Sequence, residues 1–370
     1  MTPFQQAQIY AQSGQFFELL RFCEQLVATN SNDSDLLLNI GVLLQNFGFI
    51  TPAKDCFMRV QAITQVDVRV QVNLANLARD SGNHEESRQL YANLLINHPN
   101  NPVIRRNALV SLEYDSAVTT AARYNMALSW GKWAIANVGA RRVRPKLSAL
   151  NNRPLCIGYV SADLCQHTVG LFIKDVLMAH DPMRVSVFVY SAGQVNDWVT
   201  DIIKSCTQFR DVSKLNDIGL AELIRKDSIE VLVDLSGHTA GSRLTVFAHR
   251  PAPVLVSWLG YFATTGLPCM DAVLLDQWHA PSGIDTQFIE PIVKLPMGRF
   301  FYQPVPWAPT EISLLPCLTT NYITFGCFNN STKLNAAVFD VWAKILIEVS
   351  GSRLVLKWRT FNDETFAYSD

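Results

Sequence analysis

Charge is scarce in this chain. Only 17% of its 370 residues are Asp, Glu, Lys or Arg, and 31 basic side chains face 32 acidic ones for a net charge of −1. Basic runs are missing apart from Arg141, Arg142, Arg144 and Lys146, which sit in a short polar joint. Nucleic acid, which needs a broad basic face, is therefore not an expected partner. No run of about 18 apolar residues occurs, and Met1-Thr2-Pro3-Phe4-Gln5-Gln6 has no basic segment followed by an apolar one. A soluble, cytoplasmic protein without a membrane partner is expected. The eight cysteines form neither a C-x-x-C pair nor a Cys/His group at zinc spacing, and most lie in apolar stretches; they read as reduced core thiols, with no metal site. Neither G-x-G-x-x-G nor a P-loop is present, which argues against dinucleotide oxidoreductases and P-loop NTPases.

Apolar residues are plentiful, at 49%. A chain of this length and composition folds, and divides into two domains or a domain plus a repeat array, because single cores rarely outgrow about 250–300 residues. A repeat is visible. Gly14, Gly48 and Gly82 stand 34 residues apart, each between two helix-like patterns. In the same register fall Ala7, Gly41 and Ala75, where one helix must be small, and Cys23, Phe57 and Tyr91, where its partner must be large. Pro99 closes the third unit. This spacing predicts tetratricopeptide-like helix pairs over 1–112, three of them within about 3–101, offering a surface for polypeptides. Asp33-Ser34-Asp35 has the D-x-D form by which some sugar transferases hold a metal, but it falls between two repeats, where such oxygens are what a helix start requires.

Residues 113–152 read as a helical linker, with Trp130 and Trp133 on one face, ended by Pro145 and Asn151-Asn152-Arg153-Pro154. The period then changes. Apolar runs at 155–160, 185–190, 230–235, 254–259 and 272–275 alternate with amphipathic stretches such as 171–180 and 218–226. Over 153–305 this predicts a Rossmann-like parallel sheet covered on both faces. Ligands of such sheets bind beyond the carboxyl ends of the strands. Three strand exits are rich in small and hydroxylated residues: 161–170 with His167, 236–241 with His238 and Thr239, and 260–266 with Tyr261, Thr264, Thr265 and Gly266. A histidine alone is more often structural than catalytic; its place between a strand end and a helix start singles out His167 and His238. After the proline-rich 303–316, a strand-helix-strand pattern covers 322–328, 336–350 and 353–358. Its first exit carries Asn329, Asn330, Ser331, Thr332 and Lys333, a set suited to phosphate, with a merely solvated lysine as the alternative.

Several of these segments, in this order, resemble the O-GlcNAc transferase and SPINDLY family of glycosyltransferases. They are Gly158-Tyr159-Val160-Ser161-Ala162-Asp163 with His167, Asp234-Leu235-Ser236-Gly237-His238-Thr239, Arg250-Pro251-Ala252-Pro253, Trp258-Leu259-Gly260-Tyr261 with Thr264-Thr265-Gly266, and Phe328-Asn329-Asn330 with Lys333. The resemblance implies a tetratricopeptide solenoid followed by a two-lobed GT-B catalytic region, with 153–305 as the first lobe and 306–370 as the start of the nucleotide-binding lobe. It implies inverting transfer from a UDP-sugar, commonly UDP-GlcNAc, to Ser or Thr of proteins, with no metal or cofactor beyond the donor. His167 would be the active-site histidine. Lys333, with Asn330, would meet the diphosphate; Thr264, Thr265 and Gly266 would line the sugar pocket, flanked by His238, Thr239 and Tyr261. The acceptor polypeptide would lie on the repeats. Thr168 stands where the family usually has proline, and Phe262-Ala263 where it has Pro-Gly, departures that bear on the donor pocket. The family's second lobe runs well beyond Trp358, so the expectation is an incomplete lobe and a chain that is inactive alone or completed by a second one. The alternative is a non-enzymatic adaptor that binds proteins through its repeats.

Overall fold

The structure is a computed structural model that describes residues 2–138, 143–147, 149 and 153–367. Arg141 and Arg142 of the basic cluster, and Asn151 and Asn152 of the expected boundary, lie outside the described residues. The chain forms two compact units, Met1–Ser116 with Pro309–Asp370, and Ala117–Ala308.

The first unit begins with paired helices: α1 (Pro3–Gln12), α2 (Phe16–Thr29), α3 (Ser34–Asn46), α4 (Ile50–Thr64), α5 (Val68–Asp80), α6 (His84–Asn97) and α7 (Pro102–Leu112). Gly14, Gly48 and Gly82 all make their turns at positive φ, +72°, +90° and +81°, a region that excludes most side chains. The small-against-large register is equally literal, since a Cβ on Gly41 would lie 2.5 Å from the Phe57 ring. A third element shares the period: Asp33, Asp67 and Asn101 cap the N-termini of α3, α5 and α7 with side-chain oxygens. Asp33 of the D-x-D triplet is thus a helix cap, accepting from the Leu36 amide at 3.0 Å. Such a cap contributes about 1 kcal/mol.

The second unit opens with α8 (Thr120–Asn137) and continues as β1 (Leu155–Ser161), α9 (Thr168–Met178), β2 (Val185–Ser191), α10 (Trp198–Cys206), β3 (Gln208–Asp211), α11 (Asp217–Lys226), β4 (Val231–Asp234), α12 (Leu244–Ala248), β5 (Val254–Trp258), β6 (Ala272–Asp276) and β7 (Ile292–Leu295). All neighbouring strands are parallel, in the order β3-β2-β1-β4-β5-β6-β7. The chain therefore leaves β1 in one direction and returns to β4 on its other side, so a crevice opens beyond the ends of β1 and β4. The central strands bury their apolar runs, with Val160, Val189, Leu232 and Leu255 almost solvent-free, as double-sided cover demands. Arg153 clamps the opposite end, donating from both Nη atoms to Glu230 at 2.7 Å. The helix within the expected linker, α8, packs on α12, and Gly131 of α8 sits so tightly on the turn at Gly266 that a Cβ would overlap the Gly266 carbonyl.

The first unit ends with α13 (Cys317–Thr320), β8 (Thr324–Cys327), α14 (Ala336–Glu348), β9 (Arg353–Leu356) and α15 (Glu364–Ala367), where β8 and β9 form a separate parallel pair. This segment is fastened to the repeats. The Thr51 amide donates to Asp363 Oδ2 at 2.6 Å, Arg359 Nη1 to the Asn46 carbonyl at 3.1 Å, and Ser331 Oγ to the Asp80 carbonyl at 3.3 Å. A Cβ on Gly48 would overlap the Arg359 backbone, so that turn glycine meets two demands at once. All eight cysteines are free; Cys23, Cys56 and Cys269 are buried, while Cys206 is exposed despite its apolar surroundings in sequence. No described helix is long and apolar enough to cross a membrane.

Candidate functional site

The ends of β1 and β4 converge at the crevice. Val160 is in register with Asp234, and just beyond them Ser161 Oγ and Ser236 Oγ share a buried hydrogen bond of 3.2 Å that ties the two strand ends together. Ser161 Oγ also accepts from the Asp163 amide at 3.0 Å, which starts the turn toward α9. His167 ends that turn as the N-cap of α9, its Nδ1 accepting from the Val169 amide at 3.3 Å. A ring nitrogen that accepts carries no proton, so in this arrangement Nε2 of the exposed side chain holds it and presents a donor. Gly170 lets the helix start this close, because a Cβ there would overlap the Cys165 carbonyl. Burial pushes the carboxyl of Asp163 up, with His167 working in the opposite direction.

The β2 exit braces the β1 exit. Asp197 Oδ2 accepts from the Gln166 amide at 2.6 Å, and Trp198 Nε1 donates to Gln166 Oε1 at 3.0 Å. Neither residue was singled out from sequence. Their signal was present as a capping box, Asp197-Trp198-Val199-Thr200 ahead of an apolar helix, but a capping box does not say which neighbouring loop the cap will also hold.

The β4 exit is built around buried Asp234. Its Oδ1 accepts from the Ser236 amide at 3.2 Å, and its Oδ2 from the Gly237 amide at 2.7 Å and Ser257 Oγ at 3.5 Å. Burial outweighs these donors and the carboxyl is pushed up to about 6, helped by the like charge of Glu290. Because the folded value lies above the ordinary 3.8, folding favours the protonated form. This contribution to stability is full below about pH 4 and is lost as pH rises through about 6. Urea titrations from pH 4.5 to 7.5 are expected to show that loss in the wild type and not in Asp234→Asn; parallel pH profiles for the two would refute it.

His238 follows at Gly237, whose positive φ of +56° brings the chain against Tyr261. The imidazole is buried edge-on between Trp130 of α8, 4.4 Å between centroids, and Tyr261, 5.3 Å. Its Nε2 lies 2.8 Å from the Thr265 carbonyl and so carries a proton. Thr239 turns inward, Oγ1 donating to the Ser236 carbonyl at 3.0 Å. Thr264 and Thr265 are buried as well, and their polar atoms have internal uses. Glu290 accepts from the Thr264 hydroxyl and, at 2.7 Å, from the Thr265 amide; the Gly266 amide donates back to Thr264 Oγ1 at 3.2 Å. The two threonines thus fix the carbonyl that orients His238. Arg299, also unforeseen, is buried and donates to the Leu259 and Tyr261 carbonyls at 2.9 and 3.0 Å, which secures the β5 exit.

His167, His238, Thr239, Tyr261, Thr264, Thr265 and Gly266 thus share the carboxyl edge of one sheet. Asn330 and Lys333 belong to the other unit, at the β8 exit. There Asn330 Oδ1 accepts from the Thr332 amide and hydroxyl at 3.1 and 2.9 Å, while Lys333 is exposed, with Nζ 3.4 Å from Asn329 Oδ1. That leaves the ammonium open to an anionic ligand. Among the described residues no three His, Cys, Asp or Glu side chains form a metal-holding group.

A model of glycosyl transferase family 41 matches residues 98–303. A probable UDP-N-acetylglucosamine–peptide N-acetylglucosaminyltransferase SPINDLY of Oryza sativa subsp. japonica is 35% identical over 283 residues, 74% of this chain and 30% of its own. The UDP-N-acetylglucosamine–peptide N-acetylglucosaminyltransferase of Caenorhabditis elegans is 35% identical over 159 residues, 42% of this chain and 14% of its own. This chain spans about 30% of the length of the first of these curated relatives. A solved structure of an O-GlcNAc transferase mutant from Thermobaculum terrenum superposes with a TM-score of 0.84 at 31% identity, over 99% of this chain and 69% of that one.

Proposed function

Because the chain belongs to glycosyl transferase family 41, we propose that it serves inverting transfer of a sugar, N-acetylglucosamine from its UDP donor, to Ser or Thr hydroxyls of polypeptides. The observation that carries this reading is the convergence of the β1 and β4 exits, where a hydrogen-bonded hydroxyl pair ties the strand ends together beside an exposed histidine and a carboxyl raised by burial. In the transfer, the acceptor oxygen bonds to the anomeric carbon as the bond to the diphosphate breaks, and UDP departs with the electron pair. The hydroxyl proton passes to Asp163, and Nε2 of His167 donates to an oxygen of acceptor or sugar. Lys333 meets the charge that develops on the leaving diphosphate, where a fixed cation lowers the barrier. The repeats are read as tetratricopeptide units that hold the acceptor, and the two α/β parts as lobes of a GT-B catalytic region in the cytoplasm.

Calorimetric titration with UDP and UDP-GlcNAc tests this. Saturable binding is expected, weakened about tenfold by Lys333→Ala, the loss of one charge-assisted contact. Absence of heat at millimolar ligand would favour the adaptor reading, in which only the repeats act. His167→Ala is expected to lower turnover at least tenfold and to shift the thermal melt little, since the ring is exposed and its loss removes one cap of about 1 kcal/mol. Wild-type turnover in that variant would remove His167 from the site.

A further inference from the structure

Helices α3, α5 and α7 are the first members of successive pairs, so they line one face of the repeat array. On that face one charge lacks a counter-charge. Among the described residues the Arg106 guanidinium donates only to Asn107 Oδ1, from Nε at 3.3 Å and Nη2 at 3.1 Å. Its neighbour Arg79 is differently placed, with Nε and Nη2 at 3.0 and 2.8 Å from Asp80 Oδ1, while Gln45 Nε2 donates to the other Asp80 oxygen at 3.1 Å. Arg106 is half-buried, and burial together with the field of Arg79 works against its charge, only the Tyr91 phenol favouring it. Arginine does not escape such a position by losing its proton. A part-desolvated cation without an anion is costly, and the cost is relieved when an anion arrives.

We propose that Arg106 is a binding site for one carboxylate, that of an Asp or Glu side chain in an extended polypeptide lying along the first-helix face. This rests on the reading of the repeats as the acceptor-holding arm. The donor geometry favours a carboxylate: with Nε and one Nη2 proton directed at Asn107, the edge shared by Nη1 and Nη2 still offers two parallel N–H groups, the fork that a planar carboxylate accepts bidentately. The charge balance agrees. Arg79 is already neutralised by Asp80, so the site supplies a single positive charge, which matches a carboxylate monoanion better than a phosphate dianion.

Fluorescence anisotropy on the full chain tests it, using two labelled Gly/Ser/Thr peptides that differ only in a central Glu or Gln. The Glu peptide is expected to bind about tenfold more tightly, as one bidentate charged pair warrants. Arg106→Ala should erase the preference and Arg106→Lys keep part of it. Arg106→Ala should also melt at the wild-type temperature or above, because it removes an uncompensated charge; a lower melt with the preference intact would mark a purely structural residue. Equal binding of the two peptides, or displacement of the Glu peptide by inorganic phosphate at concentrations where acetate has no effect, would overturn the assignment. UDP titration of the wild-type chain separates the two readings: if UDP binds while neither peptide does, the carboxylate site fails and the transferase reading survives.

Discussion

Alanine in place of Gly131 is expected to destabilise the Ala117–Ala308 unit by about 1–2 kcal/mol, a drop of roughly 2–8 °C in melting temperature. The sign is the point. In a helix interior Gly→Ala ordinarily gains up to about 1 kcal/mol, and Gly131 lies well inside α8. Here the added methyl would overlap a backbone carbonyl, that of Gly266, and the reciprocal clash awaits a Cβ on Gly266 against the Ala127 carbonyl. Neither backbone can move aside as a side-chain tip would. Overpacking costs of about 1–3 kcal/mol for one methylene must therefore exceed the propensity gain. Calorimetric scanning of the variant decides it, since an unchanged or raised melt would mean that α8 is not seated on the turn. Trp130 is its neighbour, so displaced His238 packing should accompany the loss.

Glu290→Ala is expected to cost about 2–5 kcal/mol, because it strands a buried hydroxyl and a buried amide at roughly 1–3 kcal/mol each. Thr264 donates its hydroxyl and Thr265 its N–H to this carboxyl. Glu290→Gln keeps the volume but turns an NH2 group toward one of two donors, so an intermediate loss is expected. Urea denaturation measures both. Because the Thr265 carbonyl holds His238, UDP-GlcNAc affinity should fall in the same order as stability. Full stability in Glu290→Ala would show that water replaces the carboxylate and that the turn does not depend on it.

Both sites illustrate what the sequence discloses and what it withholds. The 34-residue period was legible because the left-handed turns, the small contact positions and the bulky partners recur together, and no non-repeating core requires that. The five strands between β1 and β6 that carry continuous apolar runs were legible for a similar reason: both of their faces are covered. The strands that escaped notice, β3 with Gln208–Asp211 and β7 with Ile292–Leu295, are the two edges of the sheet. Edge strands bury less and so need no apolar run. Histidines at strand exits could be picked out by position, but the service of Thr264 and Thr265 to Glu290 could not, because the partner is about 25 residues away and no local rule pairs them. The same holds for Gln166 with Asp197 and for Arg299 with the β5 exit. Local chemistry announces elements and caps; the loop-to-loop bonds that aim a site appear only once the sheet has ordered the loops.

The fastening of Gly48 to Arg359 and of Thr51 to Asp363 has a temporal side. On a ribosome, the helix pairs at 1–112 emerge long before residues 359–363 exist. Repeat arrays nucleate locally and can form at once, yet the turn between α3 and α4 must wait for a partner more than 300 residues downstream, with the whole parallel sheet to be made in between. Non-local closure of this kind is slow. Until it happens the nascent array lacks the backbone neighbour of Gly48 and the carboxylate that the Thr51 amide meets in the finished unit.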